Sequence, residues 1–160
     1  MTDNNTIIED TAIETIDKKR FTFPKSERLR HKGLVDPLFE RGKKCFEYPV
    51  RVMYKTWTEE ELQGSFKIEV PAGIAPLQVM ITIPKRKIRH AVDRVLLRRR
   101  VREAWRLHRG ALRSAIEQSG QYRLLGVGII YMADEVLPMS RIEHKIKKII
   151  NRLIAEVTAE

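Results

Sequence analysis

Apolar and polar residues alternate along two stretches in the first half of the chain, and alternation of this kind predicts β-strands. The two stretches are residues 45–56 and 65–70, and a short apolar run at residues 77–83 predicts a third strand. Because short links between consecutive strands are typical of an antiparallel meander, we expect that arrangement here. The acidic residues 57–64 are predicted to be the connection between the first two strands.

Helical patterns flank these strands. Residues 34–41 are predicted to form a helix that Asp36 caps and Gly42 ends. A long helix is predicted over residues 91–109, and a shorter one over residues 111–118.

The end of the chain contains one more strand and one more helix. Residues 124–132 are a continuous apolar run, which is typical of a buried strand. From Ser140 onwards, isoleucine and leucine recur at helical spacing, so an amphipathic helix closes the chain. The predicted order is therefore α-β-β-β-α-β-α, an α+β fold.

Length and composition suit one folded domain. The chain has 160 residues, and 42% of them are hydrophobic, which is enough for a core. We expect a single domain at residues 21–160, preceded by a flexible acidic tail at residues 1–20. The isoleucines of that tail would also suit an amphipathic helix.

Several classes of protein are excluded. No apolar run approaches the ~18 residues of a membrane span, and the acidic start of the chain lacks the features of a secretory signal. The single cysteine, Cys45, excludes an internal disulfide framework and a cysteine-based zinc cluster. We therefore expect a soluble, cytoplasmic protein without a membrane partner.

Positive charge is concentrated in one segment. The net charge is +10, and residues 85–109 hold eleven Lys and Arg residues against Asp93 and Glu103. At about 100° per residue, five arginines of the predicted helix fall within an arc of roughly 140°, and Leu97 and Trp105 fall outside it. Such a field attracts a polyanion, and nucleic acid is the expected partner. The candidate contacts, including the loop before the helix, are Lys85, Arg86, Arg89, His90, Arg94, Arg98, Arg99, Arg102 and Arg106.

No catalytic arrangement is visible in the sequence. Glu59, Glu60 and Glu61 are consecutive, so their side chains point in different directions, and the four histidines lack the spacing of metal ligands. A nuclease that acts without RNA is therefore not expected, and we predict neither a catalytic residue nor a metal site on the protein.

Three segments resemble the bacterial ribonuclease P protein component. They are PKSERLRHKGLVDPLFERGKK at residues 24–44, PKRKIRHAVDRVLLRRRVREAWRLHR at residues 84–109, and YRLLGVGIIYM at residues 122–132 with the amphipathic helix that follows. The resemblance covers about residues 22–155. It implies a two-layer α+β sandwich with a mixed four-stranded sheet and a left-handed βαβ crossover.

The resemblance also implies a function. The chain would be the protein subunit of ribonuclease P, an endoribonuclease that matures the 5′ end of tRNA. Its partners would be the ribonuclease P RNA and precursor tRNA, and the chemistry would belong to Mg²⁺ at the active site of the RNA. The basic helix would contact the RNA subunit, while a cleft between sheet and N-terminal helix would bind the single-stranded leader through Val35, Phe39 and Tyr54.

Two departures change the expected contacts. Val95 and Leu96 stand where the family usually has Asn and then Arg, so one polar RNA contact is expected to be lost. Val35 stands where the family often has an aromatic residue, which would weaken leader stacking. The arginine-rich helix would equally suit a ribosomal or general structured-RNA-binding protein without a processing role.

Overall fold

The computed structural model describes residues 23–159, so the predicted tail at residues 1–20 lies outside the described part of the chain. A short 3₁₀ helix at Lys25–Glu27 comes first. It is followed by helix α1 (Lys32–Arg41), strands β1 (Lys43–Glu47) and β2 (Val50–Trp57), helix α2 (Glu59–Gly64), strand β3 (Leu77–Thr82), helices α3 (Ala91–His108) and α4 (Gly110–Ser119), strand β4 (Leu124–Tyr131) and helix α5 (Met139–Thr158).

The four strands form one mixed sheet in the order β1-β2-β4-β3. Strand β2 pairs antiparallel with both β1 and β4, whereas β3 pairs parallel with β4. The α+β class and the mixed four-stranded sheet are therefore confirmed. The predicted antiparallel meander is wrong, because β3 joins the far side of β4 instead of pairing with β2. The handedness of the β3-to-β4 crossover stays a prediction.

The first predicted strand is two strands. Its alternating residues are interrupted at Tyr48 and Pro49, where the chain turns so that Glu47 pairs with Val50. The strand predicted at residues 65–70 is wrong, since these residues form turns and bends and Ile68 is 89% exposed. Phe66 and Val70 pack against the smaller of the two cores, but the segment pairs with no strand of the sheet.

Two helix predictions also need correction. Helix α1 begins at Lys32, so Asp36 lies inside it and does not cap it, although Gly42 ends it as predicted. The acidic connection contains helix α2, which begins with a capping box. In this box Thr58 Oγ1 accepts from the Glu61 amide, and the Glu61 carboxylate accepts from the Thr58 amide.

Helices cover both faces of the sheet. Val52 and Tyr54 of β2 point into a large core with α3, α4 and α5. Their neighbours Met53 and Trp57 point the other way, into a smaller core with Leu34 and other residues of α1 and α2. Because side chains alternate along a strand, consecutive residues of β2 face different cores.

A buried ion network holds the start of the domain against the helical layer. Glu27 is 1% exposed, and its two carboxylate oxygens accept from Arg109 Nη2 at 2.8 Å and Arg113 Nη1 at 2.9 Å. Two residues further on, the Leu29 amide donates to the Val79 carbonyl on the outer edge of β3. The chain around Phe23 is thereby placed beside α3.

Candidate nucleic-acid interface

One side of α3 is built into the core. Leu97, Val101, Ala104 and Trp105 are all buried and pack within the larger core. This confirms the predicted hydrophobic side of the helix, and it fixes which residues face outward. Burying four side chains at helical spacing orients the rest of α3 because the helix cannot rotate without exposing them.

Three arginines on the outer side have no acidic partner. Among residues 23–159, no carboxylate lies within ion-pair distance of Arg98, Arg99 or Arg102, whereas ten other ion pairs form. Arg99 is exposed, and the other two are half-buried. We call these three residues the arginine row.

Arg102 shows how strongly like charges are crowded here. Burial lowers the pKa of its guanidinium, and the positive charges of Arg28, Arg98 and Arg99 lower it further. Its Nε atom is buried, and no atom of residues 23–159 accepts a hydrogen bond from it. The ring of Phe23 lies 6.0 Å from Arg102 and 5.6 Å from Arg28, which gives partial cation–π compensation. A polyanion would relieve the remaining repulsion.

Two other arginines of the predicted arc have partners. Arg94 Nη1 donates to the carbonyls of Ile88 and Arg89, at 2.9 and 2.7 Å, and so ties the basic loop to α3. Arg106 forms a two-point contact with Glu103, at 3.0 and 2.6 Å, which raises the pKa of Arg106 and lowers that of Glu103. Arg106 therefore differs from the arginine row in having a carboxylate partner, and its contact with RNA stays a prediction.

The loop before α3 adds further cations. Lys85, Arg86, Arg89 and His90 are exposed. Lys87, between them, lies 3.4 Å from Asp134 and is partly shielded. The loop thus places further cations before the N-terminus of α3, the helix that carries the arginine row. Contact of these residues with RNA stays a prediction.

The three predicted leader residues do not share one cleft. Val35 is half-buried against the smaller core, and Phe39 is 39% exposed on α1. Tyr54 is 8% exposed and points to the opposite face of the sheet, into the larger core. Strand β2 directs Met53, not Tyr54, towards α1, and leader binding by Val35, Phe39 and Tyr54 stays a prediction.

Tyr54 instead lines a cavity at the end of the sheet. The cavity has a volume of about 370 Å³ and is bordered by Arg41, Lys43 and Tyr122, among others. Burial raises the pKa of the Tyr54 phenol, with the nearby Glu156 carboxylate adding to the effect. Both effects favour the protonated form of the phenol.

Within residues 23–159, no three His, Cys, Asp or Glu side chains come together in an arrangement that would hold a metal ion. No helix in the same range is long and apolar enough to cross a membrane.

Sequence reasoning missed the structural role of one arginine and the contribution of the N-terminal segment. Arg109 counted towards the basic segment, yet it is buried against Glu27. Phe23 and Arg28 were not singled out, although both lie beside Arg102. Charge counting cannot find such pairs, because they form between residues far apart in the chain.

The mixed sheet and the arginine row define an α+β domain with concentrated positive charge on one helix, and comparison with known proteins makes this class specific. The profile of the ribonuclease P family matches residues 23–153. The ribonuclease P protein components of two Porphyromonas gingivalis strains, W83 and ATCC 33277, are each 26% identical over 137 residues, covering 86% of this chain and 90% of the relative.

Solved structures show the same fold. The RNase P protein of Staphylococcus aureus matches with a TM-score of 0.54 and 16% identity, over 83% of this chain and 98% of that one. The protein from Thermotoga maritima matches with a TM-score of 0.54 and 18% identity, over 79% and 96%.

The chain therefore belongs to the ribonuclease P family. The family assignment confirms the predicted function class, a protein subunit of an endoribonuclease with a role in tRNA processing and an RNA partner.

Proposed function

We propose that the arginine row binds phosphates of the catalytic RNA of ribonuclease P. The observation that carries this proposal is that no carboxylate of residues 23–159 forms an ion pair with Arg98, Arg99 or Arg102, on a helix whose opposite side is buried. The guanidinium is planar and always charged, so it suits a phosphate at any working pH. Arg94 has a positioning role, since it fixes the basic loop beside the row.

The hydrolysis itself is assigned to Mg²⁺ held by the RNA. The carboxylates of residues 23–159 are engaged in ion pairs or dispersed over the surface, and no three metal-binding side chains meet. The protein would lower the concentration of Mg²⁺ that the RNA needs, because its arginines neutralise phosphates that metal ions would otherwise screen. Cleavage of precursor tRNA would take place in the cytoplasm, where we expect the chain to encounter this substrate.

The leader of precursor tRNA is proposed to pass around the C-terminal end of α1. Phe39 is exposed there, and Arg41 borders the cavity that Tyr54 lines. Aromatic and cationic side chains bind single strands with little sequence preference, which suits a leader of variable sequence. Val35, half-buried beside the smaller core, would contribute only packing.

Cleavage of precursor tRNA at low Mg²⁺ tests the proposal. The full chain is added to the RNA subunit transcribed from the same genome, and we expect stimulation that R98Q/R99Q/R102Q abolishes. R106Q is the matched control, because Arg106 already has Glu103 as its partner. Failure to stimulate an RNA that is active alone at high Mg²⁺ would overturn the proposal. Copurification of ribosomal RNA without ribonuclease P RNA would favour the ribosomal alternative.

A further inference from the structure

Three aliphatic side chains are exposed on α3 next to the arginine row. Val92 is 79% exposed, Val95 is 42% exposed and Leu96 is 37% exposed. Val95 and Leu96 follow Val92 by three and four residues, so both are neighbours of Val92 on the helix surface. We call them the apolar patch. Single exposed aliphatic residues are ordinary, but three adjoining ones on a binding surface indicate a contact.

The surroundings of the patch limit what can cover it. Val95 is one helical turn from Arg98 and Arg99, and the exposed Arg89 and His90 precede the helix. Asp93 is the only acidic residue between Pro84 and Arg102. Any molecule that covers the patch therefore also meets several positive charges, so it must carry negative charge around an apolar centre.

An unpaired nucleotide has this combination of groups. The faces of its base and the carbon edge of its ribose are apolar, while the phosphates on either side are anionic. Three side chains are far too few for a stable protein interface, which takes about 20–30 residues on each side. The patch is also continuous with the arginine row, where the RNA is proposed to lie.

We propose that the apolar patch packs against an unpaired nucleotide of the RNA partner, whose flanking phosphates the neighbouring arginines bind. The inference rests on the proposed function, since it takes the RNA subunit as the ligand. The contribution of the apolar patch to the binding free energy should not depend on salt, because no counterion is released when apolar surface is buried. The arginine contribution, in contrast, falls steeply with salt.

The test is a salt titration of the affinity between the full chain and the RNA subunit. In V92A/V95A/L96A, we expect the Kd to rise by about tenfold at every salt concentration, with an unchanged slope of log K against log salt. Alanine favours the helix, so α3 stays formed, and thermal melting checks this. V136A is the matched control, since Val136 is 37% exposed in the loop after β4.

Each outcome separates the two proposals. An unchanged Kd for the patch variant, together with weaker RNA binding by R98Q/R99Q/R102Q, overturns the inference and leaves the proposed function standing. If neither variant binds RNA more weakly, both the inference and the proposed function are overturned. A loss with a reduced salt slope also overturns the inference, because the patch would then act by arranging the arginines. If residues before Phe23 cover the patch, the substitutions lower the stability of the free chain and leave its RNA affinity unchanged, which again overturns it.

Discussion

The charge of the arginine row should be visible in the salt dependence of RNA binding. R98Q/R99Q/R102Q removes three guanidiniums that lack a carboxylate partner among residues 23–159, and glutamine preserves much of the side-chain length. Each phosphate contact contributes about 0.7–0.9 to the slope of log K against log salt. We therefore expect the slope to fall by about 2–3. At ~0.15 M salt, the same contacts are worth roughly a hundredfold in affinity.

Filter binding of the RNA subunit over a salt series measures both quantities. Two single variants sharpen the result. R106Q should change the slope by much less than one, because the charge of Arg106 is already balanced by Glu103 at 2.6 Å. R99Q should lower the slope by nearly one, because Arg99 is exposed and unpaired among the described residues. An unchanged slope in the triple variant, with the chain still folded, would refute phosphate binding by the row.

Three further predictions concern the fold. E27Q leaves Arg109 and Arg113 with an incomplete partner in a buried site. It should lower the free energy of unfolding in urea by about 3–5 kcal/mol. A decrease below ~1 kcal/mol would show that the network is dispensable. G126A should lower the free energy of unfolding by about 1–3 kcal/mol, because the new Cβ would lie 2.8 Å from Trp57 Cζ3. G128A should lower it by less, because the nearest contact of its Cβ would be at 3.4 Å. Burial raises the pKa of the Cys45 thiol, so maleimide labelling at pH 8 should be slow in the native chain and fast in urea, and equal rates would contradict the buried site.

Local patterns predicted helix α3 and strand β4 close to their observed bounds. Helix α3 buries one side at helical spacing, and β4 is buried on both faces, as its continuous apolar run indicates. Strand pairing was not predictable in the same way. β3 joins β4 only after the chain has passed through α3 and α4, and no local pattern indicates whether that return is parallel.

The position of Tyr54 has a more specific cause. Tyr54 shares its alternation with Val50 and Val52, and both of these are fully buried. Both faces of β2 meet a core, so the alternation alone could not show which of the two layers Tyr54 joins. The ring packs in the larger core, and the side chain also borders a cavity. Arg41, which borders the same cavity, belongs to helix α1 and was beyond the reach of strand periodicity.

The position of α3 within the chain links RNA binding to folding. This helix belongs to the connection between β3 and β4, two strands that are hydrogen-bonded to each other along their length. Its orientation therefore exists only while both strands are paired. By mass action, RNA present at a hundred times its Kd should stabilise the native chain by about 2.7 kcal/mol. A chain that is marginal alone would then accumulate mainly as the ribonucleoprotein, and its abundance in the cell would follow the supply of RNA.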